Sequence, residues 1–216
     1  MKRTKSSKRW LQEHFNDVYV KKAHAEGKRS RAVYKLQEIN EKERLFKPGM
    51  TVIDLGAAPG GWTQYVSDEL ACRAGHIPSR IIALDILSMD ALPGVELIQG
   101  DFTEDSVLDD LTSRVPVGSV DVLLSDMAPN MSGNPAVDIP RAMLLVELAF
   151  DLSLTMLKPG GVLLMKIFHG SGFDQLIKMI RQEFESVSIR KPSASRSRSR
   201  ETYVLAKGRK HIVSAQ

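Results

Sequence analysis

Cysteine is nearly absent: Cys72 is the only one in 216 residues. This excludes an internal disulfide, and a lone thiol outside any His/Cys cluster is expected to pack rather than to react or bind metal. The five histidines (14, 24, 76, 169 and 211) are scattered without ligand spacing, so no metal is expected. No apolar run follows Met1-Lys2-Arg3-Thr4-Lys5 that could act as a signal peptide or a membrane span. The expectation is a soluble, cytoplasmic protein without a membrane partner. Also missing is the G-x-G-x-x-G spacing that seats a dinucleotide pyrophosphate, which argues against a nicotinamide-dependent reductase. There is no internal repeat. What is there, 43% hydrophobic and 26% charged, is ordinary globular material for one domain with a sizeable core.

The chain is organised around Asp54-Leu55-Gly56-Ala57-Ala58-Pro59-Gly60-Gly61-Trp62. An apolar run from Met50 to Leu55 precedes it and a helix-compatible segment follows, so it reads as strand, glycine turn and helix start. Glycines 56, 60 and 61 permit sharp bending and close approach of a ligand to the main chain. Such a turn at the C-terminal end of a parallel strand is the usual ligand crevice of a doubly wound sheet. The G-x-x-x-G-G spacing leaves adenosine-containing cofactors other than nicotinamides open.

Charge is distributed unevenly. Residues 1–35 hold eleven Lys/Arg against three Asp/Glu, residues 190–210 hold eight against one, and residues 36–189 hold eleven against twenty-two. Basic ends around an acidic body suggest a polyanion gripped by the ends. Trp10, Phe15, Tyr19 and Tyr34 lie among the positive residues and offer stacking surfaces for unpaired bases.

Residues 1–9 are expected to lack fixed structure, and 10–29 show no clear periodicity. From Ser30, the spacing of Ala32, Val33, Leu36 and Ile39 predicts a helix to about residue 45, closed by Lys47-Pro48-Gly49, with Arg29, Arg31 and Lys35 sharing a polar side. After the glycine turn, Trp62 to Leu70 fits a helix. Two strands, Ile81 to Asp85 and Val95 to Phe102, each stop at an acid: Asp85, placed to accept from ribose hydroxyls, and Asp101, placed to accept from an adenine amino group. A helix over about 103–114 follows, then a strand from Val120 that projects Asp126 into the same crevice. Asp138-Ile139-Pro140 reads as a helix cap with proline in the first turn, opening a long buried helix ended by Lys158-Pro159-Gly160-Gly161. The strand Val162 to Phe168 carries Lys166 inside an apolar run, where an unpaired charge is expensive. His169, just beyond, is expected at the surface. A helix from Phe173 to Phe184 and a strand at Val187-Ser188-Ile189 come next. Ser193 to Arg200 reads as a mobile basic loop able to grip phosphates, and Glu201 opens the final strand to Ala206. Alternating strands and helices of these lengths predict a three-layer α/β sandwich with a mostly parallel sheet.

Taken together, Arg29-Ser30-Arg31-Ala32-Val33-Tyr34-Lys35-Leu36, the glycine turn through Trp62, Ser125-Asp126-Met127-Ala128-Pro129-Asn130, Lys166-Ile167-Phe168 and Ser199-Arg200-Glu201 make a set that resembles the FtsJ/RrmJ (RlmE) family of ribosomal RNA 2′-O-methyltransferases. The match runs from about residue 10. The segment Cys72 to Arg80 is a few residues longer than in the shortest family members. The resemblance implies a Rossmann-like methyltransferase fold of seven strands with the last antiparallel, S-adenosyl-L-methionine as methyl donor, and a catalytic tetrad on Lys35, Asp126, Lys166 and Glu201. It places cofactor contacts on Gly60, Trp62, Asp85, Asp101 and Asp126. It further implies a bacterial enzyme that methylates a uridine of the large-subunit (23S) RNA A-loop within assembled particles. On this reading residues 1–29 are a basic extension, 30–210 the methyltransferase domain and 211–216 a tail, and the protein is expected to be a monomer.

The residue types suit that chemistry. A sulfonium donor already carries an activated methyl, so the enzyme must mainly align the 2′-oxygen and manage one proton. Lys166 is the expected base; burial and a nearby Lys35 favour loss of its proton, while Asp126 and Glu201 oppose it and serve to orient the lysines. Two further readings remain open on the sequence: a methyltransferase acting on transfer RNA or a messenger cap, and a non-catalytic RNA-binding ribosome-assembly factor.

Overall fold

A computed structural model of the chain describes residues 17–72, 78–196 and 199–211. Seven strands form one sheet: β1 (Thr51–Leu55), β2 (Arg80–Asp85), β3 (Val95–Gln99), β4 (Val120–Ser125), β5 (Leu157–Phe168), β6 (Phe184–Arg190) and β7 (Glu201–Arg209). Their spatial order is β3-β2-β1-β4-β5-β7-β6. Pairing is parallel from β3 through to β5, and β7 runs antiparallel to both of its neighbours. Six helices complete the described chain: α1 (Val18–Ala25), α2 (Val33–Glu43), α3 (Gly61–Cys72), α4 (Asp105–Arg114), α5 (Pro135–Met156) and α6 (Phe173–Glu183). The predicted α/β sandwich with a mostly parallel sheet is the fold observed.

Successive side chains of a strand point to opposite faces, and the helices cover both. One core joins Ile53, Leu55, Leu123, Leu163, Met165 and Ile167 of the strands to α4, α5 and α6. The other joins Val52, Val122, Leu124, Leu164, Tyr203 and Leu205 to α1, α2 and α3. This alternation decides where charge can go. Asp54, Asp126 and Lys166 continue the second set by parity, so all three point to the layer of α1, α2 and α3 at the C-terminal ends of β1, β4 and β5.

Two local expectations change, and one stretch left without a reading acquires structure. Residues 10–29, without legible periodicity, contain α1, whose first amides are served by Asp17: its carboxylate accepts from the Tyr19 N–H at 3.0 Å. The long helix α5 starts at Pro135 rather than at Asp138, because Asn134 caps it by accepting from the Ala136 N–H at 3.1 Å and Pro135 occupies the first turn. Asp138 instead folds back to accept from the Ser132 amide and hydroxyl and the Gly133 amide, tying down the loop after β4. Lys158 to Gly161 do not precede the fifth strand but lie within it: Leu157 already pairs with Val120, and the register shifts before Val162 joins Val122.

Candidate active site

Four strand ends meet at one cavity of about 550 Å³, lined among others by Gly56, Asp85, Asp101, Phe102, Asp126 and Asn130. It sits where the strand order reverses, beside β1 and β4, the place at which open α/β sheets bind ligands. Asp85 is held rigidly: one carboxylate oxygen accepts from the Ala58 N–H and the other from the Leu87 N–H, both at 2.8 Å. Asp101 accepts from the amide and hydroxyl of Thr103 through a single oxygen. Those bonds keep its carboxyl below the usual carboxylate range. Its second oxygen takes no hydrogen bond among the described residues.

The two lysines lie against this cavity, joined to it through Asp126. Lys166 is buried, and its Nζ meets Asp126 Oδ1 at 3.0 Å while also donating to the Asp126 carbonyl. Lys35, on α2, is buried as well and pairs with Glu201 at 2.8 Å. Between the pairs stands Tyr203. Its hydroxyl accepts from Lys35 at 3.0 Å and donates to Asp126 at 2.8 Å, so Lys35, Glu201, Tyr203, Asp126 and Lys166 form one continuous network. Sheet register explains the assembly: Lys166 faces Tyr203 and Phe168 faces Glu201 across the antiparallel β5–β7 pair. Tyr203 sits next but one to Glu201 on a strand that reads as apolar, and no pattern in the sequence singles it out; its buried hydroxyl is the signal, and that needs the fold.

Electrostatics follow from this wiring. Burial alone would raise the pKa of Asp126, yet the ammonium groups of Lys166 and Lys35 and the Tyr203 hydrogen bond outweigh it and hold the carboxyl below its usual range. Glu201 is lowered too, with burial opposed by the charge and hydrogen bond of Lys35. Burial and the nearby carboxylates push Tyr203 well above the ordinary phenol value, so it stays protonated. Asp54 behaves oppositely. It is 1% exposed, its Oδ2 accepts from Thr63 at 2.6 Å, its Oδ1 has no partner, and burial pushes it up to about 7.

Of the residues expected to hold a cofactor, Asp85, Asp101 and Asp126 line the cavity together. Trp62 and Gly60 are placed differently. The Trp62 indole is buried, donates to the Ala32 carbonyl at 2.9 Å and packs on Tyr203 with ring centroids 5.6 Å apart, and neither Trp62 nor Gly60 lines the cavity. A Cβ on Gly60 (φ +101°) would come within 2.8 Å of the Arg29 guanidinium, and one on Gly61 within 2.1 Å of the Ser30 hydroxyl. The protein's own residues 29 and 30 therefore occupy the space those glycines leave. The cavity fits an adenosine-bearing cation in its chemistry: its wall offers the carboxylates of Asp85, Asp101 and Asp126 to hydroxyl, amino and cationic groups.

The basic ends are more internally engaged than composition suggested. Arg29, Arg31 and Lys35 do not share a polar side: Arg29 donates to the carbonyls of Asp90 and Ala91, Arg31 pairs with Asp17 and donates to the Ala194 carbonyl, and Lys35 enters the network above. Tyr34 is buried, its hydroxyl bonded to Glu26, and is no stacking surface for a base; Tyr19 packs against it at 5.5 Å. Nor are residues 193–196 a free loop, since Ala194 is buried, Ser193 donates to Glu38 and Arg196 reaches Asp17 at 3.5 Å. Trp10, Phe15, Ser197 and Arg198 lie outside the described residues, as does the segment that begins after Cys72. His169 is exposed, as expected, with its ring stacked on Phe173 at 4.3 Å.

Comparison with known proteins converges on one family. The model of the FtsJ-like methyltransferase family matches residues 28–209. The chain is 70% identical over 208 residues to ribosomal RNA large subunit methyltransferase E of Legionella pneumophila (strain Corby), covering 96% of this chain and 98% of that protein. It is 57% identical to the protein of the same name from Cellvibrio japonicus (strain Ueda107), with 96% of each covered. Among solved structures, a ribosomal RNA methyltransferase from Plasmodium falciparum superposes with a TM-score of 0.73 at 28% identity, over 84% of this chain and 98% of that one. With the cavity, the lysine–carboxylate network and a family match spanning nearly every described element, the chain belongs to the FtsJ-like methyltransferases.

Proposed function

We propose that the protein transfers a methyl group from S-adenosyl-L-methionine to the 2′-oxygen of a uridine ribose in large-subunit (23S) ribosomal RNA, in the A-loop of the peptidyl transferase centre and on the assembled subunit, acting as a cytoplasmic monomer. The observation that carries the reaction type is the buried Lys35–Glu201–Tyr203–Asp126–Lys166 network set against the cavity. The names of the relatives carry the substrate class. When bound, the donor supplies an activated methyl on a sulfonium. Asp85 and Asp101 would hold its ribose and adenine, and Asp126 would face its cationic end.

What remains for the protein is alignment and one proton. Lys166 is the base for the 2′-hydroxyl, aimed by its two bonds to Asp126. Asp126 fixes the direction of that nitrogen through its carboxylate and its main-chain carbonyl. Glu201 and Tyr203 position Lys35. The test is transfer of labelled methyl from S-adenosylmethionine to large ribosomal subunits lacking the modification, with the product mapped by mass spectrometry. One 2′-O-methylated A-loop uridine is the expected result. Transfer to transfer RNA or a cap instead would overturn the substrate, and tight donor binding without transfer to any RNA would overturn the reaction.

A further inference from the structure

Of the described phenylalanines, five are buried in or packed against the two cores; Phe168 alone joins neither. It is half-exposed at the end of β5, a central strand whose preceding residues from Leu163 to Ile167 are all buried. The ring is therefore partly covered but belongs to neither core. Its position is specific: two residues past Lys166, hence on the same face, in register with Glu201 on β7, and with its ring centroid 6.0 Å from the Lys166 Nζ. The ring is thus the apolar member of a set whose other members are the network's polar groups. The neighbouring His169–Phe173 stack points, by the same parity, to the opposite face with Ile167.

We infer that Phe168 is the stacking surface for the base of the acceptor nucleotide, an inference that rests on the ribose-methylation reading above. A 2′-oxygen within hydrogen-bond reach of the Lys166 Nζ, about 3 Å, places its own base one ribose away. That is the distance at which a half-exposed ring beside Nζ can take it face to face or offset, with centroids about 4.5–7 Å apart. Nucleobases stack on aromatic side chains irrespective of sequence, so the ring orients an unpaired nucleotide without choosing it. A ring that merely kept water from Lys166 would act on the chemical step, whereas a stacking ring acts on RNA binding.

Steady-state transfer to large subunits lacking the modification separates these. In Phe168→Ala the KM for subunits is expected to rise about ten- to hundred-fold, as for loss of one base–aromatic stack. The Kd for S-adenosylmethionine by calorimetry and the Tm should hold. Phe168→Tyr, which keeps the ring, should rescue KM, and Phe168→Leu, which keeps only apolar cover, should not. In subunits whose RNA carries 5-iodouridine, ultraviolet cross-linking should attach the RNA to the peptide holding Phe168. With an active wild type, an unchanged KM in Phe168→Ala, or rescue by leucine, overturns the stacking role alone. A wild type that transfers no methyl to a ribose oxygen overturns the functional reading and this inference with it.

Discussion

Asp54 and Asp126 stand at the ends of neighbouring parallel strands, on the same face of the sheet, yet their acidities move in opposite directions. Asp126 has two lysines and a tyrosine hydroxyl and is held ionised. Asp54 has one threonine hydroxyl and an unpartnered oxygen, and burial pushes it up to about 7. Asp54 is the deeper of the two, 1% exposed against 17% for the Asp126 side chain, and it also lacks the cations that hold Asp126 ionised. A carboxylate becomes a fixed anion for positioning a base only where the fold delivers cations to it.

The strongest way to break the contrast is to remove the cation. Lys166→Met, close to lysine in volume, should slow methyl transfer by about 10²–10⁴-fold, the range for a positioned acid or base. It should also raise the Asp126 carboxyl toward the behaviour of Asp54, read from carboxyl chemical shifts against pH. Transfer within threefold of wild type would remove Lys166 from the role of base.

Removing the raised acid comes next. Because the folded-state value of Asp54, about 7, lies above the unfolded one, the group destabilises the fold as pH climbs past about 4, and the penalty is complete just above 7. An asparagine side chain does not ionise and carries no such penalty. The stability of Asp54→Asn relative to wild type should therefore rise by about 4 kcal/mol between pH 4 and pH 8, measured by denaturant unfolding across that range. Asp126 and Glu201 have the opposite sign: their lowered values stabilise the fold above the unfolded carboxylate range, and that contribution is lost as pH falls through the folded values. A flat Asp54→Asn difference would mean that Asp54 is ionised like its neighbour.

The smallest of these effects sharpens the comparison rather than breaking it. Tyr203→Phe deletes the acceptor for Lys35 and the donor to Asp126 while keeping the ring that packs on Trp62. A hydrogen bond to a charged group contributes about 1.5 kcal/mol, so roughly a tenfold fall in kcat is expected, with donor affinity retained. An unchanged kcat would show that the two lysine pairs work independently.

How much was legible divides along the same line. Asp85, Asp101 and Asp126 could be read because each ends an apolar run, and a strand end in a parallel sheet is where ligands bind. Lys166 could be read because a charge inside an apolar run demands a partner. The helix from Val18 was not legible, since its stability comes from its Asp17 cap and from burying Ala23 rather than from any periodic apolar stripe. The start of the long helix was misplaced because Asn134-Pro135 and Asp138-Ile139-Pro140 are both plausible caps, and only the loop decides which side-chain oxygen finds which amide.

The sequence by itself determined the strands, their order of alternation with helices, the crevice and the acids beside it, because hydrophobic period and turn chemistry are local. Only the tertiary structure decided that Tyr203 links the two lysines, that Arg29 and Ser30 fill the space over Gly60 and Gly61, and that two neighbouring aspartates differ in acidity. Each of those depends on what a distant segment brings within a few ångströms, and Coulomb and hydrogen-bond energies fall off too steeply with distance for sequence spacing to report them.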